Sequence, residues 1–138
     1  LGKYKEEYGN VYQKGALIGL CLDIFLRSET DGRYGTQQLI RDLSARFGPN
    51  KSFQDEDLFK LIAETTQIKG VESFFSKYVS GNKDLPLNEM LEKIGCELSS
   101  PAGKKDKVAL LEAIKQDMKE IKNPSPSQLN LRKAWMTN

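Results

Sequence analysis

No histidine occurs anywhere in this chain. Serine and cysteine proteases of the triad type need imidazole as their base, so that chemistry is excluded. A zinc site needs several nitrogen, sulfur or carboxylate ligands held close together, and imidazole has none to give here. Cysteine is scarce as well: Cys21 and Cys96 lie far apart, with no C-x-x-C spacing. No metal or other cofactor is therefore expected on this chain by itself. An enzyme built from these residues alone would rely on Asp, Glu, Lys, Tyr or Cys, and no paired carboxylates stand out above ordinary surface charge. A long hydrophobic run is missing too. The most apolar stretch, Ala16 to Leu26, is interrupted by Asp23 and is too short to span a bilayer. Net charge is only +2, which makes no electrostatic case for a nucleic-acid partner. Residues 1–98 carry 13 Lys+Arg against 15 Asp+Glu, and residues 99–138 carry 8 against 4. That basic excess reads as a solvated face.

What remains is a chain of 138 residues, 38% hydrophobic and 29% charged, which fits one soluble globular domain with an appendage. It begins with Leu1 and reads as an excised piece or a processed product. Residues 1–98 form the expected main unit, residues 99–107 (SSPAGKKDK) a linker, and residues 108–138 a helical tail.

The periodicities predict an all-α fold, a small array of short helices. A first helix from about Tyr8 to Ser28 is apolar on nearly every side, which predicts burial all round and hints at neighbours beyond this chain. Gly15 and Gly19 share one of its faces and suit close backbone packing. Glu29 to Arg33 carry turn chemistry. Thr36 is placed to cap a second helix with Leu39, Ile40, Leu43 and Phe47 on one side, closed by Gly48-Pro49. A third helix begins near Asp55 with an acidic first turn and turns Leu58, Phe59, Leu61 and Ile62 inward. Val71, Phe74, Phe75 and Tyr78 mark a fourth, and Pro86 opens a fifth with Leu87, Met90, Leu91 and Ile94 as its stripe. Val108, Leu111, Ile114, Met118 and Ile121 recur at steps of three or four, predicting another helix until Asn123-Pro124. Ser125-Pro126-Ser127-Gln128 is a capping box for a final helix bearing Leu129, Leu131 and Trp135.

Taken in order, YGNVYQKGALIGLCLDIFLR, GRYG, SFQDEDLFKLI and FFSKYVSGNKDLPLNEMLEKIG resemble the C-terminal helical part of the catalytic unit in the glycyl aminopeptidase family of zinc peptidases. The family pattern runs Y-x-K-G-A-L, an L-D on the same helix, F-x-x-Y-V-x-G, L-P and a final G. Here these are Tyr12 to Leu17, Leu22-Asp23, Phe75 to Gly81, Leu85-Pro86 and Gly95. The series spans residues 8–98 with its order intact. The family is in turn similar to the aminopeptidase N group, in which the tyrosine of Y-x-K-G donates a hydrogen bond to the tetrahedral intermediate. The resemblance implies that Tyr12 is a catalytic residue, with Tyr8 and Lys14 as substrate-cleft candidates. Read from spacing alone, Tyr12 is a helix-surface aromatic, Tyr8 a packing or lid contact and Lys14 a surface charge. Asp23 reads as a cap or salt-bridge partner rather than a base.

The family's zinc ligands come from H-E-x-x-H and a downstream glutamate. This chain has neither, so the resemblance makes it one wall of an active site whose metal lies on another segment, inactive alone. Its partners would be the remainder of the peptidase catalytic domain and a peptide substrate, in an extracytoplasmic or periplasmic setting. Asn123 to Trp135 resembles the family's final segment, which usually follows a PDZ domain of about 80–100 residues. Leu98 to Lys122 is too short for that module, so it has been lost or is omitted from the sequence. The competing reading is a non-catalytic helical interaction module that docks a partner through its first helix or basic tail.

Overall fold

The computed structural model describes residues 17–48, 55–81, 83–98 and 118–137. Among these the fold is all-α, an array of six short helices with one two-stranded sheet. None of these helices is long and apolar enough to cross a membrane.

Helix α1 (17–29) runs through the middle of the array. Cys21, Leu22, Ile24, Leu26 and Arg27 are all buried, and they point to every side of the helix. The neighbours that cover them come from this same chain, chiefly Leu39, Ile62, Val71, Phe74 and Leu91. Burial all round is thus achieved from Cys21 onward without a further subunit. At the N-terminal end Leu17 is also buried, but the residues just after it are less covered. Ile18 and Gly19 are half-buried, and a Cβ placed on Gly19 would meet nothing within 4 Å. The close backbone approach expected at Gly19 is therefore not made by any described residue; Gly15 lies outside the described residues.

Helix α2 (Thr36–Phe47) starts one position earlier than expected: Gly35, not Thr36, is its N-cap. The Gly35 N–H donates to Gln38 Oε1 at 3.0 Å, and Gly48 terminates the helix. Leu39 is buried, Leu43 is half-buried, and Ile40 is 63% exposed. Ile40 was expected inside. Adjacent helical residues point about 100° apart; α2 meets the core on its Leu39 side, which leaves Ile40 facing out.

Helices α3 (Asp55–Thr66) and α4 (Val71–Tyr78) pack through aromatic rings. Phe59 stacks on Phe75 with centroids 4.4 Å apart, and Phe25 of α1 stacks on Phe74 at 5.3 Å. Phe74 meets Phe75 and Tyr78 edge-on. Each such pair contributes about 0.5–1.5 kcal/mol beyond its buried area, so this cluster fastens α4 to both α1 and α3. Helix α5 (Leu87–Lys93) has Pro86 at its N-cap and buries Leu87, Met90 and Leu91.

The chain then departs from the expected all-helical course. Cys96–Leu98 forms strand β1 and Met118–Glu120 forms strand β2, paired antiparallel with Cys96↔Glu120, Glu97↔Lys119 and Leu98↔Met118 in register. The helix expected through Met118 and on to Ile121 is therefore wrong for those residues; the part from Val108 to Asp117 lies outside the described residues. The terminal helix α6 (Pro126–Met136) has the predicted box: Ser125 Oγ accepts from the Gln128 N–H at 3.1 Å, and the Ser125 N–H donates to Gln128 Oε1 at 2.7 Å.

Burial separates two leucines that the pattern treats alike. Leu91 is fully buried, whereas Leu43 lies at the edge of the core. Leu91→Ala should cost about 2–5 kcal/mol by leaving a sealed cavity. Leu43→Ala should cost clearly less, since solvent reaches the site. Urea unfolding of both variants measures this; equal losses would show that Leu43 is as enclosed as Leu91.

Candidate functional site

Tyr12, Tyr8 and Lys14 all lie outside the described residues. What is described is the anchor of the helix that follows them. Asp23 and Arg27, one turn apart on α1, form an ion pair, Arg27 Nε donating to Asp23 Oδ2 at 3.1 Å, with side-chain exposures of 14% and 1%. The second Asp23 oxygen leaves its own helix altogether. Oδ1 accepts from the Thr36 backbone N–H at 2.8 Å and from Thr36 Oγ1 at 3.2 Å. A carboxylate here serves the open N–H groups and the positive end of the α2 dipole. Gly35 has no side chain to cap its own helix, so Asp23 supplies the oxygen from α1.

Arg27 closes the same joint from the other side. Its Nη1 donates to the Gly32 carbonyl at 3.2 Å, while its own carbonyl accepts from the Gly32 N–H at 2.7 Å. Thr30 Oγ1 donates to Leu26 O and accepts from the Tyr34 N–H, both at 2.9 Å. A Cβ on Gly35 would collide with the Arg27 guanidinium and the Asp23 carboxylate, so glycine is required there for α2 to begin against α1. The end of α1, the turn 30–34 and the start of α2 thus form one hydrogen-bonded knot. Both Asp23 oxygens are committed, which fits the cap and salt-bridge reading and leaves no free base. The buried Arg27 was not anticipated, although its spacing of four from Asp23 is the signal that pointed to it.

The remaining reactive groups are restrained. Burial pushes the Cys21 thiol up to about 12, so it is not a nucleophile at neutral pH. Tyr34, the tyrosine of GRYG, donates its hydroxyl proton to Asp42 Oδ2 at 2.7 Å. Its pKa is raised by burial, by that bond and by the Asp42 charge. Tyr34 is therefore a phenol whose proton is already engaged.

Two depressions open around α5. One, of about 380 Å³, is lined by Ser28, Asp31, Lys93, Ser127, Gln128 and Leu131; the other, of about 320 Å³, by Asn88, Glu92, Cys96, Glu97, Leu98 and Ile121. Each is lined by a carboxylate as well as a serine or cysteine, but Ser28 Oγ donates to the Phe25 carbonyl and Cys96 Sγ to the Ile94 carbonyl rather than to a carboxylate. Among the described residues no three Cys, Asp or Glu side chains are grouped to hold a metal ion. With histidine absent from the whole chain, its residues do not fit the zinc of the family that it resembles. Comparison of the chain with protein-family models, with curated proteins and with solved structures finds no match.

Proposed function

We propose that this chain is a helical subdomain of a zinc metallo-aminopeptidase of the glycyl aminopeptidase type, lining the substrate cleft and supplying Tyr12 as a hydrogen-bond donor to the tetrahedral intermediate. The observation that carries the reading is the ordered series of pattern elements along residues 8–98. Members of that series that fall on described residues sit at constrained points, which supports reading them as parts of one inherited pattern. Asp23 ties α1 to α2. Phe75 is buried and stacked on Phe59. Gly95 follows α5 with φ +72, a backbone that suits glycine.

The chemistry asked of Tyr12 is modest. A phenol with a pKa of about 10 keeps its proton at neutral pH and can offer it to a developing oxyanion. Tyr8 and Lys14 would border the peptide on the same segment. Zinc would be held by another part of the parent, since this chain does not supply its ligands. The alternative, a non-catalytic interaction module, draws on the thin cover over Ile18 and Gly19.

The parent coding sequence distinguishes the two. An H-E-x-x-H upstream, with release of N-terminal residues from peptides only when residues 8–98 are present, is the expected result. The chain alone should bind no zinc stoichiometrically and cleave no peptide. One tightly held zinc per isolated chain, by elemental analysis, would overturn the reading.

A further inference from the structure

Among the described residues, the segment 118–137 is attached to the helical core chiefly through hydrogen bonds at the end of α5. Helix α6 has no buried residue; Leu131 and Trp135 are partly buried against the core, as is Met118 of β2, and Ala134 lies close to Gly32. The helix's side-chain hydrogen bonds to the core converge on the end of α5. Gln128 Nε2 donates to Glu92 O at 2.8 Å, and Arg132 donates from Nε to Ile94 O at 2.8 Å and from Nη2 to Gly95 O at 3.0 Å. Arg132 Nη1 also pairs with Glu120 of β2, and the Ile121 N–H donates to Gly95 O at 2.9 Å. Gly95 is shaped for this joint: a Cβ there would meet Arg132 Nη2 at 2.8 Å and Pro124 Cβ at 3.1 Å. The helix meanwhile carries its own N-terminal cap, the Ser125–Gln128 box with Pro126 in the first turn. Units with few buried apolar contacts and local hydrogen bonding are those that open below the global unfolding free energy.

We propose that β2 and α6 form a strap, with Arg132 as its latch, that detaches as a unit while α1–α5 stay folded. Its release exposes more of Cys96, which is 6% exposed at the wall of the smaller depression, lies opposite Glu120 in the ladder and is in contact with the Arg132 guanidinium. Cys21, fully buried among α1's neighbours, would stay covered. The two cysteines therefore report separately on the strap and on the core.

The test is alkylation of the intact chain by iodoacetamide under native conditions, with each site followed by mass spectrometry. Each rate is divided by that of the same cysteine in the urea-unfolded chain. Cys96 should react at least about tenfold faster than Cys21 on this scale, and exchange of the Ile121 amide should track the Cys96 rate. Arg132→Ala should accelerate Cys96 by about tenfold and leave Cys21 unchanged. Should that variant fail to fold, Gln128→Ala removes one bond to the rim together with the Ser125 N–H partner in the box, and agreement between the Cys96 rate and Ile121 exchange in the unaltered chain still decides. Equal normalised rates at the two cysteines, or equal acceleration of both by either variant, would overturn the strap.

Discussion

Arg27→Ala is expected to remove about 3–5 kcal/mol of stability, because it strands a partly buried carboxylate whose counter-charge is gone. Three connections fail together. Asp23 Oδ2 loses its donor, the Gly32 carbonyl loses Nη1, and the volume beside Gly35 is emptied. A loss of that size is a large share of what a small domain possesses. Arg27→Met isolates the charge, since it keeps most of the packed stem, and should cost less than alanine. The exposed pair Arg33–Asp31, 4.0 Å apart with exposures of 82% and 94%, is the control: Arg33→Ala should leave stability nearly unchanged. Urea midpoints at constant m-value supply the measurement. A cost below about 1 kcal/mol for Arg27→Ala would mean that the knot contributes little, its desolvation having cancelled its attraction.

Tyr12→Phe in the parent enzyme should lower kcat by about 10²–10³ with little change in KM. The substitution keeps the ring and removes only the O–H, so packing is preserved and the lost interaction is one made mainly in the transition state. For the role to hold, the Tyr12 hydroxyl must be accessible and without a strong partner inside this chain. Tyr34 shows the opposite arrangement, with its proton given to Asp42, and Tyr34→Phe in the same parent should leave kcat close to unchanged. Unaltered kcat in Tyr12→Phe, with the parent's metal content intact, would leave Tyr12 as a packing residue.

Local signals in the sequence were read well where one turn of chain contains all the physics. The Ser125–Gln128 box needs only residues three apart, and the turn 29–33 needs only Asp31 and Gly32, both of which adopt positive φ. The helices α2 to α5 follow from apolar stripes of adequate length. The failures are non-local. Met118 fits a step of three or four with Ile114 and Ile121, yet three residues of strand contain too little alternation to contradict a helix; what decides is the pairing with Leu98. Thr36 has the chemistry of a cap, but Asp23, thirteen residues earlier, performs that work on it. Cys96 and Leu98 are buried, and no local pattern marks them. Arg27 is the sharpest case, since a charged residue is expected in water until its partners are known. Of the candidate site, the family resemblance, and not the spacing of Tyr8, Tyr12 and Lys14, carried the reading, and those three residues fall outside the described part of the chain.

The pairing of Leu98 with Met118 also has an evolutionary consequence. It clamps the two ends of the intervening stretch at neighbouring strand positions, about 5 Å apart. The residues bordering that stretch are held to a register. One residue added between Gly95 and Cys96 would turn Cys96 and Leu98, now buried on one face with Glu97 exposed on the other, out toward solvent. Length just before the ladder's last pair is thus held to the single residue.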